Sequence, residues 1–114
     1  MTSKKPVSAQ AKKPASSKRA RPPWACDYTR TFLKDWDRLS RSGSYDLNRL
    51  KEAMLLLIGN DASLGPEWLD HALKGDWADH RECHIGGDFL MIYRFEGNTI
   101  IFVRAGTHSD LFEE

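Results

Sequence analysis

His80-Arg81-Glu82-Cys83-His84-Ile85-Gly86-Gly87-Asp88-Phe89-Leu90-Met91-Ile92-Tyr93-Arg94-Phe95, continued by Glu96-Gly97-Asn98-Thr99-Ile100-Ile101-Phe102-Val103-Arg104, decides the fold. From Trp77 onward the residues alternate with a period of two, the mark of strands. His80, Glu82 and His84 alternate with Arg81, Cys83 and Ile85. Gly86-Gly87 suits a tight hairpin turn. Asp88 to Phe95 reads as a second strand, Glu96-Gly97-Asn98 as a second turn, and Thr99 to Arg104 as a third strand. This half of the domain is an antiparallel meander. It ends in Arg104-Ala105-Gly106-Thr107-His108, then Leu111-Phe112. A histidine just past a buried strand and a glycine turn is rigidly held, yet can still meet solvent. Free imidazole titrates near ~6.5, so such a residue can move protons at neutral pH.

The first half has helical periodicity. Trp24 to Thr29 can form a short strand with Trp24, Cys26 and Tyr28 on one face. Thr29 then caps a helix whose apolar stripe is Phe32, Leu33, Trp36 and Leu39. Ser42-Gly43-Ser44 breaks it. Asp46 caps a second helix with Leu47, Leu50, Met54, Leu57 and Ile58 facing inward, and Gly59-Asn60 ends it. Residues 60–69 read as a loop. A strand, an antiparallel helix pair and then strands predict an α+β domain, with the helices packed on one face of a small, mainly antiparallel sheet.

The chain has 114 residues and a net charge of +1, which hides an asymmetry. Residues 1–23 carry seven Lys/Arg and no acid, whereas residues 24–114 carry ten Lys/Arg against sixteen Asp/Glu, a net of −6. The composition predicts a disordered basic arm, residues 1–23, on an acidic domain, residues 24–114. Such a body repels phosphate at long range, and the arm attracts it. No apolar run approaches the ~18 residues of a membrane span, and no secretory leader is apparent. The two cysteines, Cys26 and Cys83, form no paired motif and read as reduced thiols of a cytoplasmic protein.

Several chemistries are excluded by pattern. There is no Gly-x-x-x-x-Gly-Lys loop, no Gly-x-Gly-x-x-Gly and no Gly-x-Ser-x-Gly elbow. His80 and His84 on one strand lie roughly 13 Å apart, too far to share an ion, so no metal or other cofactor is expected. A metal-free acid–base site remains. Cleaving RNA through its own 2′-hydroxyl needs a base, an acid, and cations or donors that steady the phosphorus oxygens. His71, His84 and His108 are candidate proton carriers and Asp88 a candidate orienting or proton-accepting carboxylate. Arg81 and Arg104 are candidate phosphate clamps, and Trp77, Phe89 and Phe112 offer rings on which bases can stack.

Four blocks carry a family resemblance: Asp70-His71-Ala72-Leu73-Lys74-Gly75-Asp76-Trp77; Arg81-Glu82-Cys83-His84; Asp88-Phe89-Leu90-Met91-Ile92-Tyr93; and Arg104-Ala105-Gly106-Thr107-His108-Ser109-Asp110-Leu111-Phe112. In order and spacing they closely resemble the YafQ branch of RelE-like bacterial toxins, over roughly residues 24–112. The resemblance implies a RelE-like fold and the toxin of a type II toxin–antitoxin pair. It implies a ribosome-dependent mRNA endoribonuclease that needs no metal, with ribosome, mRNA and a usually acidic antitoxin as partners in a hetero-oligomer. It places the family's catalytic residues on His71, His84, Asp88 and His108, and its arginines near the scissile phosphate on Arg81 and Arg104. Phe89 stands where the family has tryptophan, and the basic arm is outside the family pattern. The alternative is a RelE-like module that binds an antitoxin or RNA without cutting.

Overall fold

The computed structural model describes residues 23–59 and 64–112. The basic arm therefore lies outside the described residues, apart from Pro23. Five strands form one sheet in the order β1-β5-β4-β3-β2. They are β1 (Ala25–Tyr28), β2 (His71–Ala72), β3 (Arg81–Gly86), β4 (Phe89–Glu96) and β5 (Thr99–Gly106). The helices are α1 (Arg30–Ser42), α2 (Leu47–Gly59) and the single-turn α3 (His108–Phe112). β1 runs parallel to β5, and every other pairing is antiparallel. The expected α+β class and meander are present. The sequence reading did not resolve β2, whose two residues pair with Glu82 and Arg81.

Local chemistry sets the helix ends. Thr29 caps α1: its Oγ1 accepts the Phe32 N–H at 2.9 Å and donates to the Val103 carbonyl at 2.7 Å. Gly43, at φ 69°, closes α1 in the left-handed conformation that glycine adopts without strain. Asp46 Oδ1 accepts the Arg49 N–H at the start of α2. The inward stripe of α1 differs from expectation at one position. Phe32 and Leu39 are buried, but Leu33 is 53% exposed and Asp35 is buried. At 3.6 residues per turn, positions 32, 35 and 39 share a face, and position 33 turns about 100° away from it.

The main core lies between the helix pair and one sheet face. Phe32, Leu39, Leu50, Met54 and Leu57 meet Cys83, Ile85, Met91, Tyr93, Ile100 and Phe102 there. Truncating one buried Phe in such a layer costs about 3–5 kcal/mol. The opposite face carries no long helix. Leu90, Ile92, Ile101, Val103 and Leu111 form a smaller cluster on it, flanked by Leu73, Trp77 and Phe112. β1 pairs only with Thr99 to Phe102, leaving the far half of β5 without a strand partner on that side. There α1 takes over, and Asp35 Oδ2 accepts the Ala105 N–H at 3.1 Å.

Candidate active site

The helix-poor sheet face gathers three of the four histidines. β2 sets His71 opposite Glu82, and the β3–β4 ladder sets Glu82 opposite Ile92 and His84 opposite Leu90. Strand alternation then turns Glu82 and His84 to the same side, beside His71. His71 Nε2 lies 3.3 Å from Glu82 Oε1, and His84 Nε2 lies 3.8 Å from the same oxygen. His71 is anchored at its other nitrogen, with Nδ1 2.8 Å from the Leu69 carbonyl. Leu69 itself has φ 49°, a left-handed conformation that aims its carbonyl at the ring. The ring centroids run in a row, His71 to His84 at 6.1 Å and His84 to His108 at 6.3 Å.

His108 opens α3. Thr107 and Asp110 bracket it reciprocally: the Thr107 N–H donates to Asp110 Oδ2 at 3.0 Å, and the Asp110 N–H donates to Thr107 Oγ1 at 3.1 Å. This is the capping-box arrangement with Asp in place of Glu. The Thr107 N–H, with Arg38 also donating, holds the Asp110 carboxyl below the usual carboxylate range. Asp88, in the hairpin turn between β3 and β4, reaches His108 twice. Its Oδ1 lies 2.5 Å from Nδ1 and accepts the His108 backbone N–H at 3.1 Å. These contacts pull the Asp88 carboxyl below its ordinary value. A carboxylate on Nδ1 fixes the ring and leaves Nε2 as the nitrogen that can exchange a proton, the logic of a His–Asp dyad.

Glu82, which the structure brings against His71 and His84, was not among the residues singled out from the sequence. It is 4% exposed, and its Oε2 has no hydrogen-bond partner among the described residues. A buried carboxylate oxygen without a partner costs free energy, and such costs cluster at functional sites. The signal was already in the sequence, since Glu82 shares its alternation with His84. Only the β2 pairing, invisible to periodicity, brings His71 to it. The donor atoms of His71, Glu82 and His84 all lie within 4.8 Å of one another. Two imidazoles and a carboxylate suit a zinc- or copper-like ion, so a set that could hold a metal exists where none was expected. His80 stands apart, with its ring edge-on to Trp77 at 5.3 Å.

The other expected residues divide. Phe112 joins the row, its ring 6.1 Å from His108 and edge-on to Trp77 at 6.0 Å. Phe89 does not. It is 5% exposed, sits in the helix-side core, and has a ring 5.0 Å from that of Tyr45. Alternation along β4 puts it back to back with Leu90, so it has no open face for a base. Arg81 shares the side of Cys83 and Ile85, and its Nε donates to Asp70 at 2.7 Å. The Tyr93 hydroxyl donates to the other oxygen of Asp70. Arg104 commits Nε (2.8 Å) and Nη2 (3.1 Å) to Asp35. Burial pushes the Cys83 thiol well above its usual range, so it is an inert core residue.

A mixed five-stranded sheet with a helix pair on one face is the RelE-like toxin architecture. Within that class the chain belongs to the YafQ family, described as bacterial toxins of type II toxin–antitoxin systems, which matches residues 24–113. The mRNA interferase toxin YafQ of Escherichia coli K12 is 36% identical over 86 residues, covering 75% of this chain and 92% of that protein. The crystal structure of the E. coli DinJ–YafQ complex matches with a TM-score of 0.70 and 35% identity, covering 78% of this chain and 98% of that one. A metal-bound toxin from Helicobacter pylori matches with a TM-score of 0.70 at 35% identity, covering 78% and 99%.

Proposed function

We propose that this toxin is an endoribonuclease that cuts mRNA on the translating ribosome by metal-free acid–base catalysis. The reading rests on its relationship to proteins named mRNA interferases. One geometric observation carries it further: three imidazoles stand in a row, with Glu82 against two of them and Asp88 against the third. In the reaction the 2′-hydroxyl loses its proton to His84. The 2′-oxygen attacks phosphorus, the bond to the 5′-oxygen breaks, and His108 Nε2 returns a proton to the departing oxygen. Glu82 balances the charge gained by His84, and His71, tied at both nitrogens, fixes Glu82. Asp88 keeps His108 turned with Nδ1 inward. Phe112 and Trp77 give a neighbouring base a surface. No helix of the described residues is long and apolar enough to cross a membrane.

In this reading His108→Ala slows cleavage by roughly 10²–10⁴-fold, the range for loss of one acid or base. Induction of the unaltered toxin arrests growth and yields discrete cuts on a translated message, while the folded His108→Ala form does neither. Equal cutting by both forms would remove His108 from the chemistry. A cognate antitoxin, acidic as is usual for the family, completes a hetero-oligomer, as DinJ does for the E. coli relative. Residues 4–21 supply part of the attraction to ribosomal RNA that the acidic body lacks. Deleting them should flatten the salt dependence of ribosome affinity, and an unchanged slope would dismiss the arm.

A further inference from the structure

A cavity of about 560 Å³ opens beside Asp88, lined among others by Tyr45, Asp46, Arg49, Ile85, Phe89 and Thr107. It shares Asp88 with the catalytic row and is bounded by the residue just before His108. Two of its walls suit a nucleotide. The half-buried Tyr45 ring packs against Phe89 at 5.0 Å and a 58° tilt. Arg49 is held from two sides: Nε donates to the Ile85 carbonyl at 2.7 Å, and the guanidinium lies 4.0 Å over the buried Trp68 ring. Its ion pair with Glu52 is loose, at 4.0 Å. A cation fixed in place before its ligand arrives loses little conformational freedom on binding.

We propose that this cavity is a subsite for the RNA nucleotide next to the cut, with its base on Tyr45 and a phosphate oxygen on Arg49. The proposal rests on the ribonuclease reading above and moves two roles to new residues. Sequence pattern offers Phe89 among the stacking rings and gives the phosphate cations to Arg81 and Arg104. The first is buried, and the other two carry carboxylate partners, Asp70 and Asp35. Tyr45 and Arg49 offer the same chemistry at the rim of the site, on the side of the row that Asp88 marks. Asp46, also in the wall, accepts the Arg49 N–H and so helps fix the start of α2. Asp46 and Asp88 are the acidic residues of the lining and Arg49 its basic one, which assigns the phosphate to Arg49.

The experiment maps cut sites and kinetics on a translated message for the full chain and for Tyr45→Ala, Tyr45→Phe and Arg49→Gln, each checked for folding by thermal melting. Tyr45→Ala should raise KM about tenfold, as loss of one base stack does, with kcat nearly unchanged. It should also flatten the base preference on one side of the cut only. Tyr45→Phe keeps the ring and should recover the KM and base preference that Tyr45→Ala loses. Arg49→Gln should raise KM without flattening that preference. If folded Tyr45→Ala and Arg49→Gln both retain the original KM and flanking preference, the subsite is overturned while the ribonuclease reading stands. If the unaltered toxin cuts nothing, both fall together.

Discussion

The two faces of the sheet treat buried charge in opposite ways. Toward the helices and along the β5 edge, every oxygen of the buried carboxylates is occupied. Asp70 receives Arg81 and the Tyr93 hydroxyl, and Asp35 receives Arg104, Arg38 and the Ala105 N–H. On the other face Glu82 is as deeply buried but shares one oxygen between two histidines and leaves the other unpartnered. Satisfied networks make a unique, rigid frame. An unsatisfied carboxylate is an unfavourable local choice that persists when a ligand or a proton completes it. One face is satisfied throughout, and the other is the face assigned to the proposed reaction.

The sharpest way to break this contrast is Glu82→Gln, which keeps shape and burial but removes the charge. Cleavage should fall by roughly 10²–10⁴-fold if Glu82 balances the proton on His84, while Tm stays level or rises because a buried charge is gone. Single-turnover rates and melting curves on the same preparation would show it. A fall in Tm with unchanged rate would make Glu82 a structural residue and erase the difference between the faces. Asp35→Ala should do the reverse. It removes the acceptor that Arg104, Arg38 and the Ala105 N–H share, at a cost of about 3–5 kcal/mol. For a domain of this size that lowers Tm by more than about 12 °C. Denaturant unfolding would check it, and a loss below about 1 kcal/mol would show the network to be mere surface pairing.

How much of this was legible follows from the range of each signal. The meander was plain because alternation and glycine turns are local: Gly87 and Gly97 take the left-handed φ that the hairpins need. Thr29 and Asp46 were legible as caps for the same reason. β2 was not, because two residues cannot declare a period, and its partners are some ten positions away. His71, His84, Asp88 and His108 were found by motif, and the structure sets them in one row. Glu82 was overlooked although its parity with His84 was visible. The same parity placed Arg81 with Cys83 and Phe89 opposite Leu90, away from the histidines. Chemical type had outweighed the face each residue was bound to occupy. Asp35 was hidden by a stripe of apolar neighbours, since its three donors come from Arg38, Arg104 and Ala105, which no helical pattern announces.

Asp110 sits where the two faces meet and gives the smallest test. It belongs to the frame through Arg38 and to the site through the turn that carries His108. Its folded carboxyl titrates below the usual value because its charged form accepts the Thr107 N–H and faces Arg38. A depressed folded value means the stabilisation is complete above the unfolded carboxylate range, near ~4, and is lost as pH falls through the folded value. Asp110→Asn should therefore lower Tm at pH 7 by only about 2–4 °C, as expected for a partly exposed charge. The gap should close as pH falls through the folded value, where the native carboxyl is protonated too. Its rate effect should run through His108, as a fall in kcat with KM held. If the gap in Tm persists at low pH, the contribution of Asp110 is packing rather than charge, and the turn that presents His108 is held by shape alone.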